Sequence, residues 1–287
     1  NVIPHEETFS KVKEDRLNLL RDMEAHLESI FGIFDGLSPE LDRKIYNSAK
    51  LVYRYMDGSG VDHRFHIIED AEIKERITSE LKDKKMLIAD GHHRYETALN
   101  YSLENPGDKK KGYVLATLVA ANDGGLVVWP THRLVRSDVS AEEAVDRMSL
   151  TMTLKEVSED RMESDLKDWT MGLMFRNGKC FLAGAKEGSG LMSLDTYVVQ
   201  ELILKRIYGY DEGMSVVEYE AEYSNVKKFM SEGMFDLAIV LNEPSLNTIW
   251  DLSMKGKRMP KKTTFFFPKI WSRFVLNQMA YGAADGK

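Results

Sequence analysis

Apolar residues recur at steps of three and four over residues 11–29, where Leu17, Leu20, Met23, Leu27 and Ile30 fall on one face, and this spacing predicts a helix. A short apolar run at 30–34 then reads as a strand, and Ser38-Pro39 as the cap and first turn of a second helix. Runs at 51–56 and 61–68 flank Asp57-Gly58-Ser59-Gly60 and predict a hairpin, after which Asp70 caps a helix to about residue 81. Residues 86–89 form a short buried strand, 90–94 a turn, and 95–104 a helix stopped by Asn105-Pro106-Gly107. A second pair of strands is expected at 113–121 and 126–129, around Asn122-Asp123-Gly124-Gly125. Downstream, Ser140 caps a helix to Leu150, and strands at 171–176 and 179–183 meet at Asn177-Gly178, a type I′ hairpin signal. Helices at 194–207 and 222–232, a strand at 235–241 and a helix at 245–254 follow. Strands and helices alternate irregularly, which predicts an α+β fold with mixed sheets rather than a doubly wound parallel one. The expected division is 1–136 and 137–287, the second part an α/β domain.

Composition narrows the functional classes. The 287 residues carry a formal charge of −7, a poor balance for wrapping nucleic acid. The longest apolar stretch, 113–121, is far shorter than the roughly 20 residues of a membrane helix. One cysteine, Cys180, forms no internal disulfide and points to a reducing, cytoplasmic home; it is expected to pack as a small apolar residue. The first residue is Asn and no secretory leader precedes it, so the chain reads as N-terminally truncated.

The sharpest chemistry lies at Asp90-Gly91-His92-His93-Arg94, a turn from strand to helix. A helix N-terminus offers unpaired backbone N–H groups and partial positive charge. Gly91 allows close backbone approach, Arg94 can fork onto phosphate oxygens and His93 can add a donor, together a phosphate cradle. Asp90 beside it can orient or deprotonate a hydroxyl nucleophile. The plainer reading makes Asp90 a helix cap and Arg94 a solvated charge. Neighbouring residues on a helix diverge by about 100°, so His92 and His93 do not readily share an ion, and no transition-metal motif accompanies them. Mg²⁺ arriving with a nucleotide fits better, since it needs few protein ligands. Three further segments carry candidate groups: His5-Glu6-Glu7-Thr8, Thr131-His132-Arg133 and Lys261-Lys262-Thr263-Thr264. Read plainly, they are a charged terminus, an edge strand and a basic surface turn. His63 and His66 in the hairpin read as structural.

Four segments in order resemble the "domain of unknown function 1015" family: residues 5–8 with 14–16; Ile-Ala-Asp-Gly-His-His-Arg-Tyr at 88–95; Pro-Thr-His-Arg at 130–133; and Met-Pro-Lys-Lys-Thr-Thr-Phe-Phe-Phe-Pro-Lys at 259–269. Members usually have a further N-terminal region that this chain lacks. The family is similar to the ParB/sulfiredoxin superfamily, in which a Gly-x-His-Arg turn at a helix N-terminus holds nucleotide phosphates; Gly91, His93 and Arg94 match that turn. Position 92 is histidine where sulfiredoxin has its reactive cysteine and ParB its glutamate, so neither of those activities is implied. The branch with an Asp-Gly-His-x-Arg turn is that of the SerK-type free serine kinases. The resemblance implies a ParB/sulfiredoxin-like core that moves a phosphoryl group from ADP or ATP, with Mg²⁺, to a small hydroxyl substrate such as free L-serine.

On that reading Gly91, His92 and the next amides hold phosphates. His93, Arg94, His132, Arg133, Lys261 and Lys262 supply the remaining contacts. Asp90 handles the hydroxyl, with Glu6 the second candidate. The alternative is a nucleotide-binding regulator without catalysis, which needs the cradle but no base. A metal-assisted hydrolase and a DNA-partition protein are weaker alternatives.

Overall fold

The computed structural model describes residues 1–6, 10–58, 60–185, 190–210, 216–260, 262–271 and 274–279. Five consecutive buried residues, Ile30–Phe34, form an inner strand of a four-stranded mixed sheet. Its order is Val2–Ile3, Met86–Asp90, Ile30–Phe34, Ala116–Ala120. Ile30–Phe34 runs antiparallel to Met86–Asp90 and parallel to Ala116–Ala120. At Gly32 a Cβ would stand 2.4 Å from Met86 Sδ and 2.9 Å from Leu118 Cδ2, so neighbouring side chains close over the strand only because glycine is there.

The second sheet has six antiparallel strands in the order Met152–Val157, Cys180–Ala185, Met171–Phe175, Leu237–Leu241, His132–Val135, Val217–Glu220. Met171–Phe175 and Leu237–Leu241 are buried along their whole length. Their unbroken apolar runs follow from cover on both faces, Val199 and Ile203 packing on one and Met162, Val226 and Met230 on the other. The architecture is α+β with mixed and antiparallel sheets. Among the described residues no helix is long and apolar enough to cross a membrane.

Several elements differ from the sequence expectation. The first helix spans Ser10–Met23 rather than reaching residue 29. Glu24 takes φ +45° and Ala25–His26 becomes a strand paired with Asn277–Gln278, so a distant partner claims the backbone. The expected helix 194–207 is a short α segment, Asp195–Val198, running into a π-helical one, Val199–Lys205. The strands around Asp123 do not pair with each other. The turn closes locally, with Leu126 N donating to Asp123 O at 3.1 Å. Ala116–Ala120 pairs with Ile30–Phe34, whereas Val127–Trp129 pairs with Phe265–Phe267 and stacks Trp129 on Phe267, ring centroids 4.5 Å apart. Met152–Val157 and Val217–Glu220 were not anticipated; both are edge strands, and their polar positions blur the pattern. His132–Val135 already belongs to the second sheet, upstream of residue 137, while 265–267 and 277–278 return to partners in the first half.

Candidate active site

The strand Met86–Asp90 runs directly into the helix His92–Glu104 through Gly91. Helices that start after Ser38, Asp70, Ser140, Ser158 and Ser245 each have a side-chain oxygen accepting from their first turn. The helix at His92 has none: Gly91 occupies its cap position at φ +91°, ψ 27°, a conformation that side chains oppose. A helix start without a side-chain cap is a place where an anion can be received. Asp90 does not cap this helix.

Arg94 is engaged from within the chain. Its guanidinium donates to Asp90 Oδ2 at 2.5 Å, to the Ser29 carbonyl at 2.6 Å and to Glu28 Oε2 at 3.2 Å. It lies over Gly91, where a Cβ would be 2.9 Å from Arg94 Nε. The other Asp90 oxygen is 3.6 Å from Lys269 Nζ, and Lys269 also stands over the Phe265 ring. Asp90 is thus a half-exposed carboxylate between two cations.

On the other flank, His5 is completely buried and joins three segments. Its Nδ1–H donates to the Ile88 carbonyl at 2.7 Å, its Nε2 meets Thr264 Oγ1 at 3.0 Å, and its backbone N–H donates to His92 Nε2 at 3.3 Å. Met259 N donates to His5 O at 2.8 Å, and Glu6 bridges in parallel to Met259. Glu6 Oε1 lies 3.5 Å from both His5 Nε2 and Thr264 Oγ1. Burial by itself would raise the Glu6 carboxyl, but the hydrogen bond and charge of His5, with His92 and Thr264 nearby, outweigh it and bring the pKa down to about 2. His92 is buried; that desolvation, with His5 beside it, pushes its pKa down to about 4 and keeps the ring neutral at pH 7.

The four segments singled out in the sequence therefore meet. Residues 5–6, 88–94 and 259–264 are joined through His5, and Arg133 reaches the last of them by donating to Lys262 O at 3.1 Å. Their side chains do not all face one space. His92 offers the turn only its backbone, since its ring faces His5, whereas His93 is half-buried on the first helical turn. Arg133 is buried, donates to Thr131 O and covers the Tyr219 ring. His132 points into the second sheet, where Nδ1 accepts from Leu241 N–H at 3.1 Å, and burial, then Arg133, push its pKa down to about 4. These two hold strands and loop together, and the structure does not bring His132 to the Gly91 turn. Lys262 is exposed at φ +58°. Lys261, Glu7 and Thr8 lie outside the described residues. Sequence reasoning named His5 and Thr264 only as members of candidate segments, with no role of their own, and missed Glu28 and Lys269 as site groups; Lys269 lay within the 259–269 resemblance.

A cavity of about 1120 Å³ opens beside this cluster, lined in part by Ser29, His63, Phe65, Lys269, Trp271 and Phe274. Ser29 and Lys269 connect its wall to Arg94 and Asp90. Among the described residues no group of three His, Cys, Asp or Glu side chains is placed to hold a metal ion.

A mixed sheet ending in a glycine-started helix, flanked by two carboxylates and joined to an antiparallel sheet, defines an α+β protein whose candidate site is the Gly91 turn. The chain belongs to the family described as Protein of unknown function (DUF1015), whose model matches residues 1–235. Its fold is shared with a conserved hypothetical protein from Pyrococcus furiosus, at 15% identity and TM-score 0.51 over 97% of this chain and 92% of that one. Free serine kinase in complex with AMP shares it too, at 15% identity and TM-score 0.51 over 92% and 83% of the two chains. A variant of free serine kinase in complex with ADP aligns to the same extent, again at 15% identity and TM-score 0.51. None of the curated proteins matches the sequence.

Proposed function

We propose that the chain is a nucleotide-dependent phosphotransferase that moves a phosphoryl group from ADP or ATP to a small hydroxyl substrate, free L-serine, giving O-phosphoserine. The observation that carries this reading is the Gly91 turn: a helix N-terminus without a side-chain cap, directly after a strand ending in Asp90, in a chain that shares the fold of free serine kinase. The amides of His92, His93 and Arg94 bind phosphate oxygens, as helix N-termini do. The large cavity beside Asp90 has room for a nucleoside. Phosphoryl transfer asks mainly for positioning and charge stabilisation. Lys269 and Lys262 supply positive charge, and Arg94 does so by exchanging Glu28 for phosphate. Asp90 orients the acceptor hydroxyl and accepts its proton. Glu6, held ionised, is the second carboxylate for that role. Mg²⁺ would arrive with the nucleotide, since among the described residues no group of three His, Cys, Asp or Glu side chains is placed to hold a metal ion, and it would neutralise phosphate charge when bound.

The test is to incubate the protein with Mg²⁺, ADP or ATP and a pool of free amino acids, and to search for a phosphorylated product by mass spectrometry. O-phosphoserine is the expected product; its absence with both nucleotides, although they bind, overturns the reading. A second reading, a nucleotide-binding regulator without catalysis, is favoured by one observation: Asp90 is already shared between Arg94 and Lys269. Binding without turnover is the outcome it expects.

A further inference from the structure

A second, smaller cavity lies behind the 259–264 segment. Its volume is about 190 Å³, too small for a nucleotide, and its wall includes Thr131, Asp195, Asn242, Glu243, Ser245 and Thr263. Among the described residues its charged groups are two carboxylates, Asp195 and Glu243, and no Lys, Arg or His lines it.

Most of its polar atoms are already engaged. The Thr263 hydroxyl donates to Pro260 O at 2.6 Å and meets Thr196 Oγ1 at 3.2 Å. Asn242 Nδ2 donates to the carbonyls of Trp169 and Leu166, and Ser245 Oγ accepts from Thr248 N–H. Two groups differ. Thr131 is 5% exposed and its buried Oγ1 has no hydrogen-bond partner among the described residues. The Asp195 carboxyl has no ion pair among the described residues. Its burial raises its pKa to about 6 against the pull of the Asn242 hydrogen bond. An orphaned hydroxyl and a desolvated carboxyl in one acidic cavity both call for a donor from outside the chain.

We propose that this cavity is a binding site for a small hydroxylated primary amine, of the class of free amino acids and amino alcohols, whose ammonium group is taken by Asp195 and whose polar group satisfies Thr131. A compact ammonium supplies several donors and the compensating charge, and the rest of the wall adds a second carboxylate, Glu243, and the hydroxyls of Ser245 and Thr263. The site is distinct from the Gly91 turn and does not depend on the phosphotransferase reading, because its occupancy is measured without nucleotide.

The experiment titrates the full chain by calorimetry in an amine-free buffer at pH 7.5, with no nucleotide. The probes are L-serine, ethanolamine and glycerate, the last replacing the amine by a hydroxyl. Serine, ethanolamine or both are expected to bind, and glycerate not. Asp195→Asn is expected to weaken amine binding at least tenfold and Thr131→Val several-fold, with near-ultraviolet dichroism unchanged. The proposal is overturned if neither amine binds at tens of millimolar, if glycerate binds as well as serine, or if Asp195→Asn leaves amine affinity intact. It is equally overturned if potassium chloride displaces the amine, which makes the cavity an inorganic cation site.

Discussion

Replacing His132 by Asn is expected to remove one pH-sensitive contribution to stability while keeping the hydrogen bond that the ring provides. His132 is 3% exposed, and its Nδ1 accepts from Leu241 N–H at the point where the pairing of Leu237–Leu241 with His132–Val135 runs out. The amide oxygen of Asn can stand where Nδ1 does, whereas a protonated imidazole has no acceptor there. The folded pKa is about 4 against 6.5 for a free histidine. Because the folded value is depressed, the folded state resists a proton that the unfolded state takes up. This contribution is complete above pH 6.5 and is lost as pH falls toward 4. At about 1.4 kcal/mol per pH unit, wild type loses roughly 2 kcal/mol from this one ring between pH 7.5 and 5. His92, also near 4, adds a loss in the same window, and Asp195, raised to about 6, works the other way below pH 6. The summed curve therefore hides single groups, and the difference between variant and wild type isolates one. Urea unfolding followed by far-ultraviolet dichroism at pH 7.5, 6 and 5 gives that difference. His132→Asn should gain about 2 kcal/mol relative to wild type across this range. Parallel curves would refute the assignment of a buried, neutral His132.

Three further substitutions probe the turn. Asp90→Asn should lower phosphotransfer by about 10²–10⁴ while nucleotide affinity, read by fluorescence titration, stays within a few-fold; full turnover would move the base to Glu6. Arg94→Ala should weaken nucleotide binding and also loosen the fold, since it leaves Glu28 and Asp90 without their shared cation; unchanged nucleotide affinity would make Arg94 structural only. Gly91→Ala forces a Cβ against the Arg94 guanidinium at φ +91° and should cost on the order of 1–3 kcal/mol together with nucleotide binding, both visible in thermal unfolding with and without ADP. Glu6→Gln should flatten the acid limb of stability. A carboxyl held near 2 instead of 4.5 stabilises the fold above pH 4.5 and loses that contribution as pH falls toward 2, so wild type and variant should converge there.

The local features were legible because their causes are local. Ser38, Asp70, Ser140 and Ser245 cap the helices expected of them, and Asn177-Gly178 turns the expected hairpin. The strand, glycine turn and helix of 86–104 are legible in the local run, although the helix begins at His92 rather than at residue 95 and the sequence alone leaves a cap at Asp90 open. What lay beyond reach were partners far along the chain. Nothing near Arg94 announces that Glu28 and Ser29 hold it, and nothing near Val127–Trp129 announces Phe265–Phe267. His5 looked like part of a charged terminus, yet it is buried because Ile88 and Thr264 close over it. His132 and Arg133 carried the right chemistry for phosphate but lie in a strand with neighbours on both sides, where their polar atoms secure backbone instead.

The link from His5 to Thr264 spans 259 positions. At a synthesis rate of roughly 5–20 residues per second, the two partners leave the ribosome on the order of ten seconds to a minute apart. During that interval the strand Met86–Asp90 and the Gly91 turn can form, but His5 has no Thr264, Asp90 no Lys269 and Val127–Trp129 no partner strand. A nascent chain stopped before residue 264 therefore exposes Trp129 and leaves the turn without its distant partners. Emergence of residues 259–269, rather than folding of the first half, is the event that completes the candidate site.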